Sequence, residues 1–270
     1  MDYGISITRR FGALALALLL GLAFCGRAAA ANSIEEARRH GKLVAGVNTD
    51  FPPFGYLDAS GAQTGFDAEI ADCLARAIFD GESRTEFVPV TTGARIPFLY
   101  SGFVDIIIAT FTATEERRQV LELSDPYFLS GSLLLVRRDG PVKGLEDLQE
   151  RAVGFIDGSV QAKDLELLAP KVKKVKFGTP GEAIGALKSS KIDAFCLDDI
   201  LVLDLARQNP DLQAAGRPFI PRPYVIAVQK GDVSSIAWIN KQLARMKSDG
   251  TYDRLWKKYF GEFEANLVKP

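Results

Sequence analysis

Charged side chains follow two apolar runs in this 270-residue chain. Arg117 and Arg118 come shortly after VDIIIA, in the segment VDIIIATFTATEERRQ, and Asp198 and Asp199 come directly after AFCL. An arginine binds a carboxylate through two parallel hydrogen bonds, each worth about 1.5–3 kcal/mol, and a carboxylate suits an ammonium group. These residue types therefore indicate a binding site for charged groups.

Both segments also have a purely structural interpretation. Thr112 and Glu115 have the spacing of a capping box, and Glu115 and Glu116 suit the positive end of a helix dipole. Arg117 opposes that dipole, which favours a role in binding an anion. One of the two aspartates after AFCL can cap the helix that follows. The capping and binding interpretations both remain open at this point.

Two further segments add features that a ligand could use. Phe51 and Phe54 flank a double-proline turn after an apolar run, where they are either core residues or a platform for a ligand. Gly158 and Ser159 stand at a predicted helix start, where free backbone N–H groups favour anions. A cation, a carboxylate, an aromatic wall and free amides together suit a zwitterion. That describes an α-amino acid better than a sugar or a metal ion.

The residues required by several other chemistries are missing from the sequence. The single histidine, His40, stands in ARRHGK just before the first apolar run, and we expect it at a helix end or on the surface. No Cys-x-x-Cys pair, P-loop, G-x-G-x-x-G or G-x-S-x-G motif occurs. We therefore expect no catalytic residues, no metal and no cofactor.

The hydrophobic periodicity predicts an alternation of strands and helices. Strands are predicted at 42–48, 85–90, 104–110, 132–138, 152–156, 172–177, 192–197 and 223–229. Helices are predicted at 65–79, 94–102, 159–169, 180–190, 199–208, 232–248 and 251–260. Two βαβ series predict two α/β lobes, each a mostly parallel sheet flanked by helices. We expect two extended crossings between the lobes, near 129–135 and 220–226.

The N-terminus has the three regions of a secretory signal peptide. Arg9 and Arg10 precede an apolar core, and small residues follow at 28–31. We predict residues 1–31 as a cleaved signal peptide and the mature chain as a soluble periplasmic protein. The formal net charge is −1 and no basic run occurs, so we expect no nucleic-acid partner.

Several segments resemble the periplasmic amino-acid-binding proteins of ABC transporters, called solute-binding protein family 3. The matching segments are GKLVAGVNTDFPPFGYLDASGAQTGFDAEIA, RIPFLYSGFVDIIIATFTATEERRQVLELSDPYFLSGSLLLV, KGLEDLQERAVGFIDGS, ALKSSKIDAFCLDD, PYVIAVQKGD and DGTYDRLWKKYFG. The resemblance implies two discontinuous lobes joined by two hinge strands. We accordingly predict a first lobe of 32–131 plus 224–270 and a second lobe of 132–223.

The resemblance also implies roles for individual residues. Arg117 matches the arginine that binds the ligand α-carboxylate, and Asp198 matches the acid that binds the α-ammonium. Phe51 matches an aromatic residue over the ligand, and Arg95 matches an arginine of the cavity wall. Thr110 and Thr112 match residues that hold the ligand's charged ends. Ser159 and Val160 match a second-lobe turn, and Asn48 stands at a position that is aspartate in some members.

The chain departs from the family pattern at four positions, occupied by Asn48, Ala94, Leu129 and Leu197. Fewer polar side chains favour a less polar ligand, whereas Arg95, if it faces the ligand, favours an acidic or amide side chain. The identity of the amino acid therefore stays open.

The resemblance implies a monomeric protein that captures an amino acid between closing lobes and delivers it to the membrane permease of an ABC transporter. The alternative is a periplasmic enzyme on the same scaffold, such as a cyclohexadienyl dehydratase acting on prephenate or arogenate. Such an enzyme needs a general acid in the cavity. Asp157, Asp198 and Asp199 are available, and no feature of the sequence singles one out.

Overall fold

The fold was obtained as a computed structural model that describes residues 32–266. Its strands form two five-stranded sheets and one small three-stranded sheet. The predicted signal peptide, residues 1–31, lies outside the described residues. No helix among residues 32–266 combines the length and the apolar character needed to cross a membrane.

The strands are short and alternate with helices along most of the chain. They are β1 (Leu43–Val47), β2 (Asp50–Phe51), β3 (Gly55–Leu57), β4 (Gln63–Thr64), β5 (Thr85–Pro89), β6 (Ile106–Ile107), β7 (Leu121–Leu123), β8 (Phe128–Arg137), β9 (Ala152–Ile156), β10 (Lys173–Phe177), β11 (Ala194–Asp198), β12 (Leu212–Tyr224) and β13 (Ala227–Gln229). The helices are α1 (Ser33–His40), α2 (Phe66–Ile78), α3 (Arg95–Tyr100), α4 (Glu115–Val120), α5 (Gln161–Leu168), α6 (Pro180–Lys188), α7 (Asp199–Gln208), α8 (Val233–Ser248) and α9 (Thr251–Phe260). Two 3₁₀ turns are Leu145–Leu148 and Gly261–Asn266.

The two large sheets have the same construction. The first sheet has the order β5-β1-β6-β13-β7, and the second has the order β10-β9-β11-β8-β12. Strands β5, β1 and β6 run parallel, as do β10, β9 and β11. The other two strands of each sheet pair in the antiparallel sense. The predicted two-lobed α/β fold is confirmed, but each sheet is mixed: β13 is antiparallel to its neighbours in the first sheet, and β8 is antiparallel to its neighbours in the second.

Two long strands carry the chain between the sheets. β8 and β12 pair in the antiparallel sense, with Phe128 opposite Tyr224 at one end and Arg137 opposite Leu212 at the other. An isolated bridge between Thr112 and Tyr224 links this pair to the loop that follows β6. We call the elements around the first sheet the first lobe and those around the second sheet the second lobe. The boundaries predicted after 131 and after 223 fall within β8 and β12 and stay predictions.

An aromatic cluster fills the core where the crossing strands meet the first lobe. The Phe54 ring is fully buried, and its centroid lies 4.8 Å from that of Phe128, 5.4 Å from that of Tyr224 and 5.2 Å from that of Phe260. Such edge-to-face and tilted pairs add to the free energy gained by burial. Phe54 is therefore a core residue, which leaves Phe51 as the aromatic residue available to a ligand.

The segment that follows β6 differs from the prediction in two respects. Strand pairing extends over only Ile106–Ile107, because the chain turns at Thr110, whose φ is +46°. Helix α4 begins at Glu115, and the side chain that caps it belongs to Thr114, which accepts a hydrogen bond from the Arg117 N–H at 3.2 Å. The predicted cap at Thr112 is thus wrong by two residues, and Thr112 is left for another role.

Candidate functional site

A cavity lies where the carboxyl ends of β1 and β6 face those of β9 and β11. Ligands of parallel α/β sheets bind beyond these strand ends. The structure brings eight of the nine predicted residues into the wall of this cavity: Phe51, Arg95, Thr110, Thr112, Arg117, Ser159, Val160 and Asp198. We call it the interlobe cavity.

Asn48 is the one predicted residue that the cavity wall does not include. Its side chain is fully buried, and its Nδ2 donates to Thr110 Oγ1 at 3.1 Å. Its backbone oxygen accepts from Gln63 Nε2 at 2.9 Å. Asn48 therefore stands behind Thr110, where it orients that hydroxyl from outside the cavity.

Arg117 reaches across the cavity from the start of α4. Its Nη1 donates to the Thr112 carbonyl at 2.6 Å, and its Nη2 donates to the Gly158 carbonyl of the second lobe at 3.0 Å. The guanidinium carbon lies 4.4 Å from the centroid of the Phe111 ring. Burial lowers the pKa of Arg117 to about 10, against the charges of Asp198 and Glu116. A guanidinium offers five N–H donors, so three remain for a ligand.

Arg95 is buried at the start of α3, and its guanidinium carbon lies 5.1 Å from the centroid of the Phe111 ring. Its Nε donates to the Thr92 carbonyl at 2.9 Å, and its Nη1 donates to the carbonyls of Ala109 and Thr110 at 2.8 and 3.2 Å. Burial, and next the positive charge of Arg117, lower its pKa to about 9. Arg95 thus ties the loop after β6 to α3 while it lines the cavity.

Asp198 is the acidic group of the second lobe in this cavity. It is the last residue of β11, and its Oδ1 accepts from Gln161 Nε2 at 2.9 Å. Burial raises its pKa to about 6, as does the charge of Asp199, whereas the nearby Tyr224 hydroxyl, the Gln161 amide and the charge of Arg95 lower it. Asp198 is therefore mainly ionised at neutral pH and can bind a cation.

Asp199 has a structural role. Its carboxylate accepts from Ser130 Oγ at 2.7 Å, from the Gly131 N–H at 3.2 Å and from the Ile200 N–H at 2.8 Å. These bonds tie the first residue of α7 to the crossing strand β8. The two adjacent aspartates are thus divided between a cavity residue and a fold-stabilising residue.

The turn between β9 and α5 forms the second-lobe wall opposite Arg117. Ser159 Oγ is buried there without a hydrogen-bond partner among the described residues. Helix α5 follows Val160 and has no side-chain cap, so the N–H groups of its first turn lack that partner. A buried hydroxyl and uncapped N–H groups at one wall suit an acceptor such as a carboxylate.

Four cavity residues were not among the predicted site residues: Thr92, Ile156, Gln161 and Leu197, the last of which was noted only as a departure from the family pattern. Thr92 lies just before the RIP segment and Ile156 just before the turn at Gly158. Neither residue type indicates a binding role by itself. Gln161 stands two residues after Ser159 in the same turn, so the extension of that motif could have found it.

Two larger crevices lie elsewhere on the described surface. One lies between α2 and α8 near Cys73 and Arg245. The other lies near Tyr56 and Arg207. Neither contains any of the predicted residues. Within residues 32–266, no group of three or more His, Cys, Asp or Glu side chains is placed to hold a metal ion.

Comparison with known proteins gives matches over most of the chain. Residues 43–262 match the bacterial extracellular solute-binding proteins, family 3. The ABC transporter glutamine-binding protein GlnH of Bacillus subtilis (strain 168) is 39% identical over 226 residues, which cover 83% of this chain and 83% of GlnH.

Solved structures show the same similarity. An ancestral arginine-binding protein bound to glutamine is 39% identical, with a TM-score of 0.77 over 82% of this chain and 98% of that one. The ancestral amino acid-binding protein AncCDT-1, a precursor of cyclohexadienyl dehydratase, is 32% identical, with a TM-score of 0.78 over 85% of this chain and 100% of that one.

Proposed function

Because the chain belongs to the bacterial extracellular solute-binding proteins of family 3, we propose that its interlobe cavity binds an amino acid for an ABC transporter. The two lobes close around the amino acid, and the loaded protein delivers it to the membrane permease. Hinge closure of two lobes around a ligand is an established motion of such folds.

The observation that carries this proposal is the pairing of Arg117 and Asp198 in one closed cavity. The first lobe supplies a guanidinium with three free donors, and the second lobe supplies a carboxylate with one oxygen held by Gln161. An α-amino acid presents a carboxylate and an ammonium at neighbouring atoms, so it can satisfy both groups at once. Charge-assisted hydrogen bonds of this kind are stronger than neutral ones.

The remaining cavity residues extend the same proposal. Ser159 and Val160 complete the carboxylate site from the second lobe, and Thr112 supports it from the first. Phe51 is 5% exposed and covers the ligand with its ring. Asn48 acts indirectly through the Thr110 hydroxyl, to which it donates.

The proposal also covers where the protein acts and whether it catalyses a reaction. We infer that residues 1–31 are a signal peptide and that the mature chain acts in the periplasm as a monomer. We also infer that the cavity binds without catalysing a reaction, because the matching family and the curated relative are binding proteins.

The test is a thermal-shift screen of the mature protein against the common amino acids, followed by calorimetry with the strongest binder. A ligand at 100 times its Kd adds about 2.7 kcal/mol to the free energy of unfolding. We expect Arg117→Ala to abolish measurable binding, because it removes the partner of the ligand carboxylate.

The matched control is Arg118→Ala, which removes an equal charge from the adjacent, exposed position. We expect the affinity of this variant to equal that of the wild type. Unchanged affinity in Arg117→Ala, or no stabilisation by any amino acid, would contradict the proposed function.

A further inference from the structure

A chain of hydrogen bonds inside the second lobe links Arg222 on β12 to Asp198 in the cavity. Arg222 forms a bidentate ion pair with Asp164, at 2.9 and 2.6 Å. Ser132 Oγ donates to Asp164 Oδ2 at 2.6 Å. Gln161 Nε2 donates to Ser132 Oγ at 3.2 Å and to Asp198 Oδ1 at 2.9 Å. The four members from Arg222 to Gln161 therefore end at the carboxylate that faces the ligand.

The direction of each hydrogen bond in this chain follows from the ion pair at its far end. Asp164 is paired with Arg222, so its carboxylate only accepts. The Ser132 hydroxyl must then donate its proton to Asp164, and its oxygen is left as an acceptor. Only the NH₂ group of the Gln161 amide can donate to that oxygen, which excludes the flipped amide.

The fixed amide has a direct consequence in the cavity, because Gln161 is buried and lines the cavity wall. The second N–H of Gln161 Nε2 points to Asp198, which therefore accepts this hydrogen bond from the protein in a set direction.

We propose that Gln161 is a positioning residue for ligand binding: Arg222, Asp164 and Ser132 orient its amide, and the amide holds Asp198 ionised and aligned for the ligand's ammonium group. The inference rests on the proposed function, because it requires a ligand that carries an ammonium group.

Other charged and titratable groups also face Asp198. Asp199 raises the pKa of Asp198, whereas Tyr224 and Arg95 lower it, and Arg117 interacts with it across the cavity. None of these groups is changed when Gln161 is replaced. A shift in the pH dependence of binding upon replacement therefore reports on the Gln161 hydrogen bond.

The test is the affinity for L-glutamine between pH 5 and pH 8.5, measured by calorimetry for the wild type and for Gln161→Met. Methionine has a similar length but no group that donates to Asp198. Loss of one hydrogen bond to a carboxylate shifts its titration by about one pH unit. We expect the affinity of the variant to fall about threefold at pH 6.5 and about ninefold at pH 5, and to recover at pH 8.5, where Asp198 is ionised in both proteins.

Two further variants and an alternative ligand complete the test of the Gln161 hydrogen bond. Gln149→Met, at an exposed glutamine of the same lobe, should keep the wild-type profile. Ser132→Ala, which removes the acceptor that orients the amide, should shift the profile in the same direction as Gln161→Met and by less; it carries the test if Gln161→Met does not fold. If L-glutamine does not bind, the strongest binder of the thermal-shift screen replaces it.

The failure of the inference is distinguishable from that of the proposed function. A wild-type protein that binds, together with a Gln161→Met profile that is unchanged or lowered equally at every pH, overturns the positioning role and leaves the function intact. A wild-type protein that binds no amino acid overturns both.

Discussion

At the scale of single residues, Asp67 lies behind the cavity wall and holds the backbone of Thr110. Its Oδ2 accepts from the Thr110 N–H at 2.8 Å and so holds a backbone that is in the left-handed region. Burial raises the pKa of Asp67 to about 7, against the Thr110 N–H, the nearby Tyr127 hydroxyl and the charge of Arg95. Burial favours the neutral form of a carboxyl, so the stability of the fold depends on the protonation of Asp67.

The sign of this dependence follows from the raised pKa. Between the pKa of the unfolded chain, about 4, and the folded value of about 7, the folded protein keeps a proton that the unfolded chain loses. The contribution of Asp67 to stability is therefore fully present below pH 4 and is lost as the pH rises through 7. We expect Asp67→Asn, which keeps an acceptor for Thr110, to lose this dependence. Relative to the variant, the wild type should lose on the order of 2 kcal/mol of unfolding free energy between pH 5 and pH 8.

Chemical denaturation of both proteins across this pH range measures the difference. Asp58→Asn is the matched control, because the Ser60 hydroxyl lowers the pKa of this exposed carboxyl and it does not titrate between pH 5 and pH 8. Its stability curve should run parallel to that of the wild type. Parallel curves for the wild type and Asp67→Asn would refute the assignment.

At the scale of elements, the turn between β9 and α5 forms a close backbone contact between the lobes. Gly158 has a φ of +75°, and a Cβ built on it would lie 2.7 Å from the Gly93 Cα of the first lobe. Beside this contact, Lys163 of α5 and Glu116 of α4 form an exposed ion pair at 2.6 Å. Backbone atoms cannot yield as a flexible side chain does, so any side chain at Gly158 must separate the lobes.

We therefore expect Gly158→Ala to weaken amino-acid binding by about tenfold or more, since overpacking of a tight contact costs about 1–3 kcal/mol. Calorimetry gives the affinity, and small-angle X-ray scattering shows whether the ligand-bound variant stays more extended than the bound wild type. Gly102→Ala is the control, because Gly102 has nearly the same φ, +73°, and an added Cβ would meet nothing within 4 Å. Equal losses of affinity in both variants would indicate backbone strain and contradict the steric explanation.

At the scale of the whole molecule, the sequence predicts those elements whose signal is local. Strands β1 and β9 are apolar runs with turn residues on each side, and both form where they were predicted. Strand β12 was not predicted along its length, because LQAAGRPFIPRPY contains a glycine and three prolines. It forms through pairing with β8, which is about 80 residues away in sequence.

The same distinction applies to the cavity. Arg117 and Asp198 were predictable, because each is a charged residue shortly or directly after an apolar run and each matches a family motif. The position of Asn48 behind Thr110 and the hydrogen bond of Gln161 to Asp198 depend on contacts between separate loops. No spacing within one segment encodes such contacts, so only the folded molecule reveals them.

At the scale of the whole molecule, a further question is whether the protein only binds its ligand or also catalyses a reaction. The similarity to AncCDT-1, a precursor of cyclohexadienyl dehydratase, makes the question specific. A dehydratase requires a protonated acid in the cavity, and Asp198, with a pKa of about 6, is the candidate on geometry. The Gln161 amide, whose NH₂ is fixed toward Asp198, stabilises its ionised form.

We expect the purified protein to release no aromatic product from prephenate or arogenate at pH 7 above a blank without protein. Ultraviolet absorbance or chromatography of the reaction mixture provides the measurement, and Asp198→Asn serves as the matched control because it keeps the shape of the side chain and removes its proton chemistry. Turnover in the wild type that disappears in Asp198→Asn would show that the cavity supplies a general acid, and it would replace the binding function with an enzymatic one. If the protein binds an amino acid but converts neither compound, its function is binding alone. In that case closure brings Arg117 and Asp198 to the two charged ends of a ligand that is later released unchanged.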